Sequence, residues 1–523
     1  MVEMNDALCA LPVELKELIL SKIEHIEAHH ILALSSTFQE AFSLLRALPR
    51  TFDFEGVEGV LADHLVRVLD DDRVRSLGKE RALQLIGDEK DRLCEYACGR
   101  SFEVLRWAHN ELDLPWATTS GTGYPVLYPA GPVSDDILVL RVLRETWPSL
   151  KESQGVPRHW GESDGWWRVD VRPEEWPGVT MENGRVVKLE FYTCGLTGAV
   201  PAEIGQLASL TKLNLGTNQL TSLPANIGQL ASLTQLNLGE NKLTSLPAEI
   251  GQLTSLTQLY LGRNRLTTLP AEIGQLTSLT YLYLSGNTLT SLPAEVGQLA
   301  SLEWLGLSGN QLTSLPAEIG RLTSLTWLYL NRNRLTTLPA EIGQLTSLTY
   351  LFLDGNLLTS LPAEVGQLAS LEWLGLARNQ LTSLPAEIGR LTSLTKLYLG
   401  RNRLTTLPAE IGQLTSLQGL YLDGNLLTSL PAEIGQLTLL RGLNLEHNQL
   451  TSLPAEIGQL TSLRALSLGG NQLTSLPAEI GQLTSLDRLY LFGNQLTSMP
   501  AAIRELRAAG CDVLIDDGVT FAE

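Results

Sequence analysis

One asparagine, returning every 23 residues, constrains this chain more than any other feature. From Asn218 it recurs at Asn241, Asn264, Asn287, Asn310, Asn333, Asn356, Asn379, Asn402, Asn425, Asn448, Asn471 and Asn494, thirteen times in perfect register. Around each one the sequence reads L-x-x-L-x-L-x-x-N-x-L, followed by T-S-L-P-A-E-I-G-Q-L-T-S with few departures. An earlier copy fits with one extra residue, at Val186, Leu189, Phe191, Cys194 and Leu196, where Cys194 takes the asparagine's place. Fourteen copies therefore span about residues 186–507. A fixed period of this size means stacked units, none of which buries its own apolar stripe alone.

The spacing assigns each part of the unit. The alternating L-x-L is a short strand with its leucines inward. The asparagine stands where the chain leaves the strand, and its amide can satisfy backbone groups of adjacent coils that burial would otherwise orphan. The Pro-Ala-Glu-Ile segment is a turn or helical start, with Pro tolerated at its first position. This pattern is identified as that of the leucine-rich repeat family. It resembles the cytosolic 23-residue class, with its LPxxIxxLxxL segment, found in Ras-group and related scaffold proteins. The resemblance implies an α/β fold: a solenoid shaped as a horseshoe of about fourteen coils, with the strand x positions on its concave face. It also suggests, more weakly, small-GTPase signalling regulation.

The ends of the array depart from the pattern. Gly195-Leu196-Thr197-Gly198-Ala199-Val200-Pro201 resembles the plant-type LxGxIP repeat. Upstream, Trp176-Pro177-Gly178-Val179 and Gly184-Arg185-Val186-Val187 are similar to the W-x-G-V…G-R-V entry of such arrays. Trp147, Trp160, Trp166, Trp167 and Trp176 then read as a cap over the first coil rather than a ligand cage. Secreted relatives usually carry a cysteine pair in this cap, and none is present here. After Pro500 the consensus fades, and Gly510–Gly518 reads as one further strand and turn. Asp516 and Asp517 there read as a solvated turn rather than a carboxylate pair.

Two x columns of the strand can be read coil by coil. One carries Tyr260, Tyr283, Tyr329, Phe352, Tyr398 and Tyr421; the other carries Tyr281, Trp304, Trp327, Tyr350 and Trp373. Aromatics thus gather between about residues 260 and 421, bordered by Arg263, Arg332, Arg378 and Arg401 and by Arg265, Arg334 and Arg403. Aromatics with arginine are the composition of a protein-binding hot spot. The competing reading is structural, since aromatic neighbours on adjacent strands also stabilise a sheet. On the binding reading, Trp304→Ala with Trp373→Ala weakens partner capture and leaves the melting curve nearly unchanged.

The sequence contains its own control. Residues 264–332 and 333–401 are a duplication of three coils that differs at seven positions: Tyr283/Phe352, Ser285/Asp354, Thr288/Leu357, Ser308/Ala377, Gly309/Arg378, Trp327/Lys396 and Asn331/Gly400. All seven lie at strand x positions or beside the asparagine. None lies among the polar residues of the opposite side, such as Glu272/Glu341 or Gln275/Gln344. Drift over every exposed site would have touched both sides, so diversification has favoured the strand face.

Composition excludes several roles. The formal charge is −19, from 38 basic and 57 acidic residues. That argues against nucleic acid or an anionic membrane as partner. Residues 201–500 hold 19 acidic and 15 basic residues, so the acidity lies mostly elsewhere. No stretch approaches the about 18 apolar residues of a membrane span. Five cysteines, at 9, 94, 98, 194 and 511, are too sparse for a disulfide framework. Cys94 and Cys98 lack a second ligand pair for zinc, and His25, His29 and His30 read as a polar helix face. There is no phosphate-binding glycine loop, no HExxH and no GxSxG. His447, the array's one histidine, stands beside Glu446 on a variable loop. No catalytic residue, metal or cofactor is expected, and a reducing, cytoplasmic setting is.

Length alone suggests three or four domains, but the array makes one quasi-linear body of some 320 residues. The expected organisation is 1–50 a helical segment, 51–135 a helical region ending in a Gly/Pro/Ser-rich linker, 136–185 the Trp-rich cap, 186–500 the repeats and 501–523 the C-terminal cap. Leu11, Pro12, Leu15 and Ile19 sit in LPVELKELIL, which resembles the opening LPxELxxxIL of the F-box family. That resemblance implies docking of a Skp-type adaptor and a role in recognising substrates for a ubiquitin ligase. Residues 92–116 resemble one degenerate ankyrin-type helix pair. The principal expectation is a scaffold that holds a protein partner, of unknown identity, on the strand face.

Overall fold

The computed structural model describes residues 135–150, 176–517 and 519–521. The F-box-like and ankyrin-like segments, Cys9, Cys94, Cys98, every histidine except His447, and Trp160, Trp166 and Trp167 lie outside the described residues. The chain divides into two compact units between Lys212 and Leu213.

In the first unit, the helix Asp135–Thr146 buries Leu138, Val139, Leu140, Val142 and Leu143. It packs on the 3-10 turn Ala202–Gln206. The strands Val179–Glu182 and Arg185–Glu190 pair antiparallel. Asn183 at φ 51 and Gly184 at φ 75 join them. Two positive φ values in a two-residue loop are what a hairpin needs to match strand twist, and Asn-Gly supplies them with least strain. Asp136, fully buried, holds the second strand to the helix. Its Oδ2 accepts the Val186 N–H at 2.7 Å and its Oδ1 accepts Arg185 Nε–H at 3.0 Å.

Val186, Leu189, Phe191, Cys194 and Leu196 are all buried, as the first repeat's spacing requires. Trp147 meets Phe191 edge-on at 6.4 Å, and Trp176 is buried as well. The Cys194 thiol donates to the Tyr192 carbonyl at 3.6 Å, and burial pushes its pKa up to about 12. It therefore fills the asparagine's place as a small neutral side chain.

The second unit is a stack of coils. Three-residue strands, from Gln235–Asn237 to Arg488–Tyr490, lie parallel in sequence order, and Asp512–Leu514 extends the series. Each pairs in register with the next, so equivalent residues of successive coils are direct neighbours. The central leucine of each strand points to the core. Leu282, Leu305, Leu328 and Leu351 have no exposed surface.

On the far side, each coil before the last closes with a five-residue 3-10 turn such as Ala271–Gln275, whose Pro270 stands extended at ψ 150 just before it. Its glycine is required by close approach. A Cβ at Gly274 would stand 2.5 Å from the Glu295 carbonyl oxygen, and at Gly343 2.4 Å from that of Glu364.

The asparagine does what its position predicts. Asn264 Nδ2 donates to the carbonyls of Leu238 at 2.9 Å and Leu261 at 3.0 Å, while its Oδ1 accepts the Leu243 N–H at 3.0 Å. The same three bonds recur along the array, joining each coil to the one before it. At the end, the helix Ala502–Ala508 replaces the 3-10 turn and buries Ile503 and Leu506. The further strand expected in 510–518 is Asp512–Leu514. Asp516 Oδ2 accepts the Gly493 N–H at 2.7 Å, which ties the turn back.

Among the described residues no helix is long and apolar enough to cross a membrane. None of their His, Cys, Asp and Glu side chains form a group of three or more suited to a metal.

Candidate functional site

The two x columns occupy the first and third residues of each strand, on the sheet face opposite the leucine core. All eleven aromatics named from the sequence are half-buried there. Their rings form one connected series. Tyr260 meets Tyr281 at 4.9 Å, and Tyr281 stacks on Trp304 at 4.3 Å. Trp304 also meets Tyr283 at 5.6 Å and Tyr329 at 5.1 Å. Trp327 stacks on Tyr350 at 3.6 Å and Tyr329 on Phe352 at 4.7 Å. From Phe352 the series passes to Trp373, Tyr398 and Tyr421, at 5.9, 4.9 and 4.5 Å.

Glycine makes one crossing between the columns. A Cβ at Gly306 would stand 2.4 Å from the Trp304 ring, so only glycine leaves room for that ring to lie over the strand and reach the other column. The rings also shield one another. A stacked aromatic pair is worth about 0.5–1.5 kcal/mol beyond its buried area. Trp304 has three ring partners, so Trp304→Ala with Trp373→Ala is expected to cost some stability as well as partner capture, a cost that the binding reading alone leaves out. The ladder is structural as well as accessible.

Burial raises the pKa of three of the phenols. Desolvation, with Tyr260 as the next contributor, pushes the Tyr281 pKa up to about 12. Desolvation, then Tyr421, does the same for Tyr398. Burial also raises Tyr329. The face therefore offers apolar ring surface and neutral hydroxyls.

Arg263, Arg332, Arg378 and Arg401 do not join the ladder. They share the turn position just before the buried asparagine, are exposed, and hold left-handed φ values of 54, 54, 57 and 57. Gly286, Gly309, Gly355 and Gly424 occupy the same position in other coils. Those glycines were the signal available in the sequence for this conformation. Leu11, Pro12, Leu15 and Ile19 lie outside the described residues.

One polar column was not anticipated. Between ladder and arginines, the residue after the second strand leucine forms a hydrogen-bonded line. Ser308 N–H donates to Ser285 Oγ at 3.2 Å, Ser308 Oγ–H to Asn331 Oδ1 at 3.2 Å, and Asn331 Nδ2–H to Asp354 Oδ2 at 3.5 Å. Asp354 Oδ1 accepts the Ala377 N–H at 2.9 Å. Burial raises the Asp354 pKa against the lowering pull of that N–H and of Arg378. Three of the seven duplication differences fall in this column, which is the trace it leaves in the sequence. Rings, neutral hydroxyls, one half-buried carboxylate and a guanidinium border suit recognition.

A family description, leucine-rich repeat region, matches residues 180–285, 271–353, 340–425, 359–443 and 428–508. The chain belongs to the leucine-rich repeat family. Among solved structures, the repeat array is similar to a leucine-rich repeat protein of Leptospira interrogans, at 43% identity over 61% of this chain and 89% of that one, with a TM-score of 0.51. It is also similar to an internalin, InlF, of Listeria monocytogenes, at 27% identity over 61% of this chain and 89% of that one, TM-score 0.51. A third likeness is to the leucine-rich repeat ectodomain of the Arabidopsis receptor kinase HAESA, solved with an N-terminally extended IDA peptide hormone. There the identity is 28% over 73% of this chain and 65% of that one, TM-score 0.54. No curated protein matches the chain.

Proposed function

We propose that this leucine-rich repeat chain is a non-catalytic scaffold that holds a protein partner on its open sheet face, between the coils of Tyr260 and Tyr421. The observation that carries the reading is the coincidence of two patterns. The aromatic ladder and the polar column line the open face, the arginines stand at the turn that borders it, and all seven differences between the duplicated coils lie in these columns or beside the buried asparagine. A half-buried ring keeps an exposed part for a partner, and aromatics with arginine dominate binding energy where proteins meet. The HAESA relative, with its peptide hormone, supports a polypeptide ligand. The binding array is assigned to 186–500, between caps at 136–185 and 501–523. The unpaired Cys194 of the first coil suits a reducing, cytoplasmic setting.

Affinity capture from native lysate, read by mass spectrometry, tests the proposal with two double variants. Trp304→Phe with Trp373→Phe keeps a ring in each stack; Glu272→Gln with Glu341→Gln alters the opposite side. Loss of a captured protein in the first pair and retention in the second supports the reading. Equal capture by both sinks it. The finer ubiquitin-ligase reading rests on Leu11, Pro12, Leu15 and Ile19. It requires that the full chain bind a Skp-type adaptor and lose it on Leu15→Asp.

A further inference from the structure

A second pattern, resting on the open face as a partner surface, names the partner's chemistry. Arginine flanks the buried asparagine on both sides in three coils only: Arg263 and Arg265, Arg332 and Arg334, Arg401 and Arg403. These triplets stand 69 residues apart, which is every third coil. All six arginines are exposed. Among the described residues only Arg263 of the six makes an ion pair, with Glu240 at 2.7 Å. Its side chain is 71% exposed, and a pair so exposed to water holds weakly.

The first arginine of each triplet is built into its place. It takes a left-handed φ that disfavours any side chain, and its stem passes over a glycine in the next coil. The Cγ atoms of Arg263, Arg332 and Arg401 lie 3.2, 3.6 and 3.3 Å from where a Cβ at Gly286, Gly355 and Gly424 would stand. An apolar residue follows two of the triplets in the neighbouring coil: Leu357 and Leu426, both 41% exposed.

The repeat distance selects the conformation of the ligand. Adjacent parallel strands lie about 4.8 Å apart, so every third coil recurs at about 14 Å. An extended chain advances about 3.4 Å per residue and shows the same face at every second one, so its residues i, i+4 and i+8 share a face at about 14 Å. A helix rising about 1.5 Å per residue covers that distance in roughly nine or ten residues, which brings a different face forward. We infer that the three arginine pairs recognise an extended acidic segment of a protein partner, with carboxylates four residues apart and apolar residues between them.

Fluorescence anisotropy with the full chain tests this. The probe is a labelled peptide of Glu, Thr and Val with Glu at every fourth position, compared with an isomer of the same composition with Glu at every third. The protein variant combines Arg263→Gly, Arg332→Gly and Arg401→Gly with Arg265→Gln, Arg334→Gln and Arg403→Gln. Other coils already carry glycine and glutamine at these positions, as Gly309 and Gln311 do, so the stack accommodates them. The four-spaced peptide should bind at least about tenfold more tightly than its isomer, lose that advantage on the variant, and weaken with salt. Equal affinity for the two peptides, no binding of the four-spaced one, or equally effective competition by heparin overturns the inference. So does a variant that still captures in full the protein lost by Trp304→Phe with Trp373→Phe, an outcome that leaves the partner face itself standing.

Discussion

The coils of residues 264–332 and those of 333–401 share a core and differ on one face. Asn287 and Asn356 make the same three hydrogen bonds, and Gly274 and Gly343 meet the same carbonyl in the following coil. On the open face the first set carries Ser285, Ser308, Asn331 and Trp327 where the second carries Asp354, Ala377, Gly400 and Lys396. Each coil contacts only its neighbours, so its stability depends on the parts that repeat. Side chains outside those parts are free to change, and here they have changed on one side alone.

If the shared parts are the scaffold, damage to them should be large and equal in the two sets. Asn287→Ala and Asn356→Ala each leave one core N–H unpaired, that of Leu266 or Leu335, and remove one of the two donors on each of two carbonyls, at a cost of about 3–5 kcal/mol. Chemical denaturation should give values for the two within about 1 kcal/mol of each other; a wide gap would show that the sets are not equivalent. Gly274→Ala and Gly343→Ala should follow, at about 2–3 kcal/mol each, because the new methyl meets backbone that cannot turn aside. Next come the exchanges on the open face. Trp327→Lys loses the stack on Tyr350 and should cost about 1–2 kcal/mol in the same assay. Lys396→Trp, placed against Tyr398, should return less than about 1 kcal/mol.

The smallest effect is on pH. Burial raises the Asp354 pKa in the folded chain above its unfolded value. The folded state then holds its proton more tightly, so this residue favours folding at low pH and that advantage is lost as pH rises through the raised pKa. Relative to Asp354→Ser, the wild type should therefore gain stability on acidification, as read by denaturation at pH 4 and pH 7. A gain in the opposite direction would contradict the burial of this carboxylate.

Much of this was legible in the sequence, and the exceptions have physical causes. The period placed every strand, and the asparagine's role followed from its position where the strand ends. The eleven aromatics were assigned to the correct columns, but columns do not show how far a ring leans. Gly306 beside Trp304 was a hint that this ring crosses over. The glycine of A-E-I-G was visible in nearly every coil, yet its cause is a carbonyl 21 residues away that no local pattern reveals. Asn183-Gly184 is a strong hairpin signal, but it lies inside residues that also match the entry motif of the array, so the local pattern carries two meanings. Asp136 left no trace, since its partners are Arg185 and Val186, some 50 residues on, outside any period.

The central claim is that the open face recognises while the rest of the coil supports. Replacing all seven distinguishing residues of 264–332 by their counterparts from 333–401 tests it most directly, because every new side chain already fits an equivalent coil. Affinity for the protein captured by wild type should fall by at least about tenfold, while the melting temperature moves by no more than about 4 °C. Unchanged affinity in this exchanged chain would contradict the account.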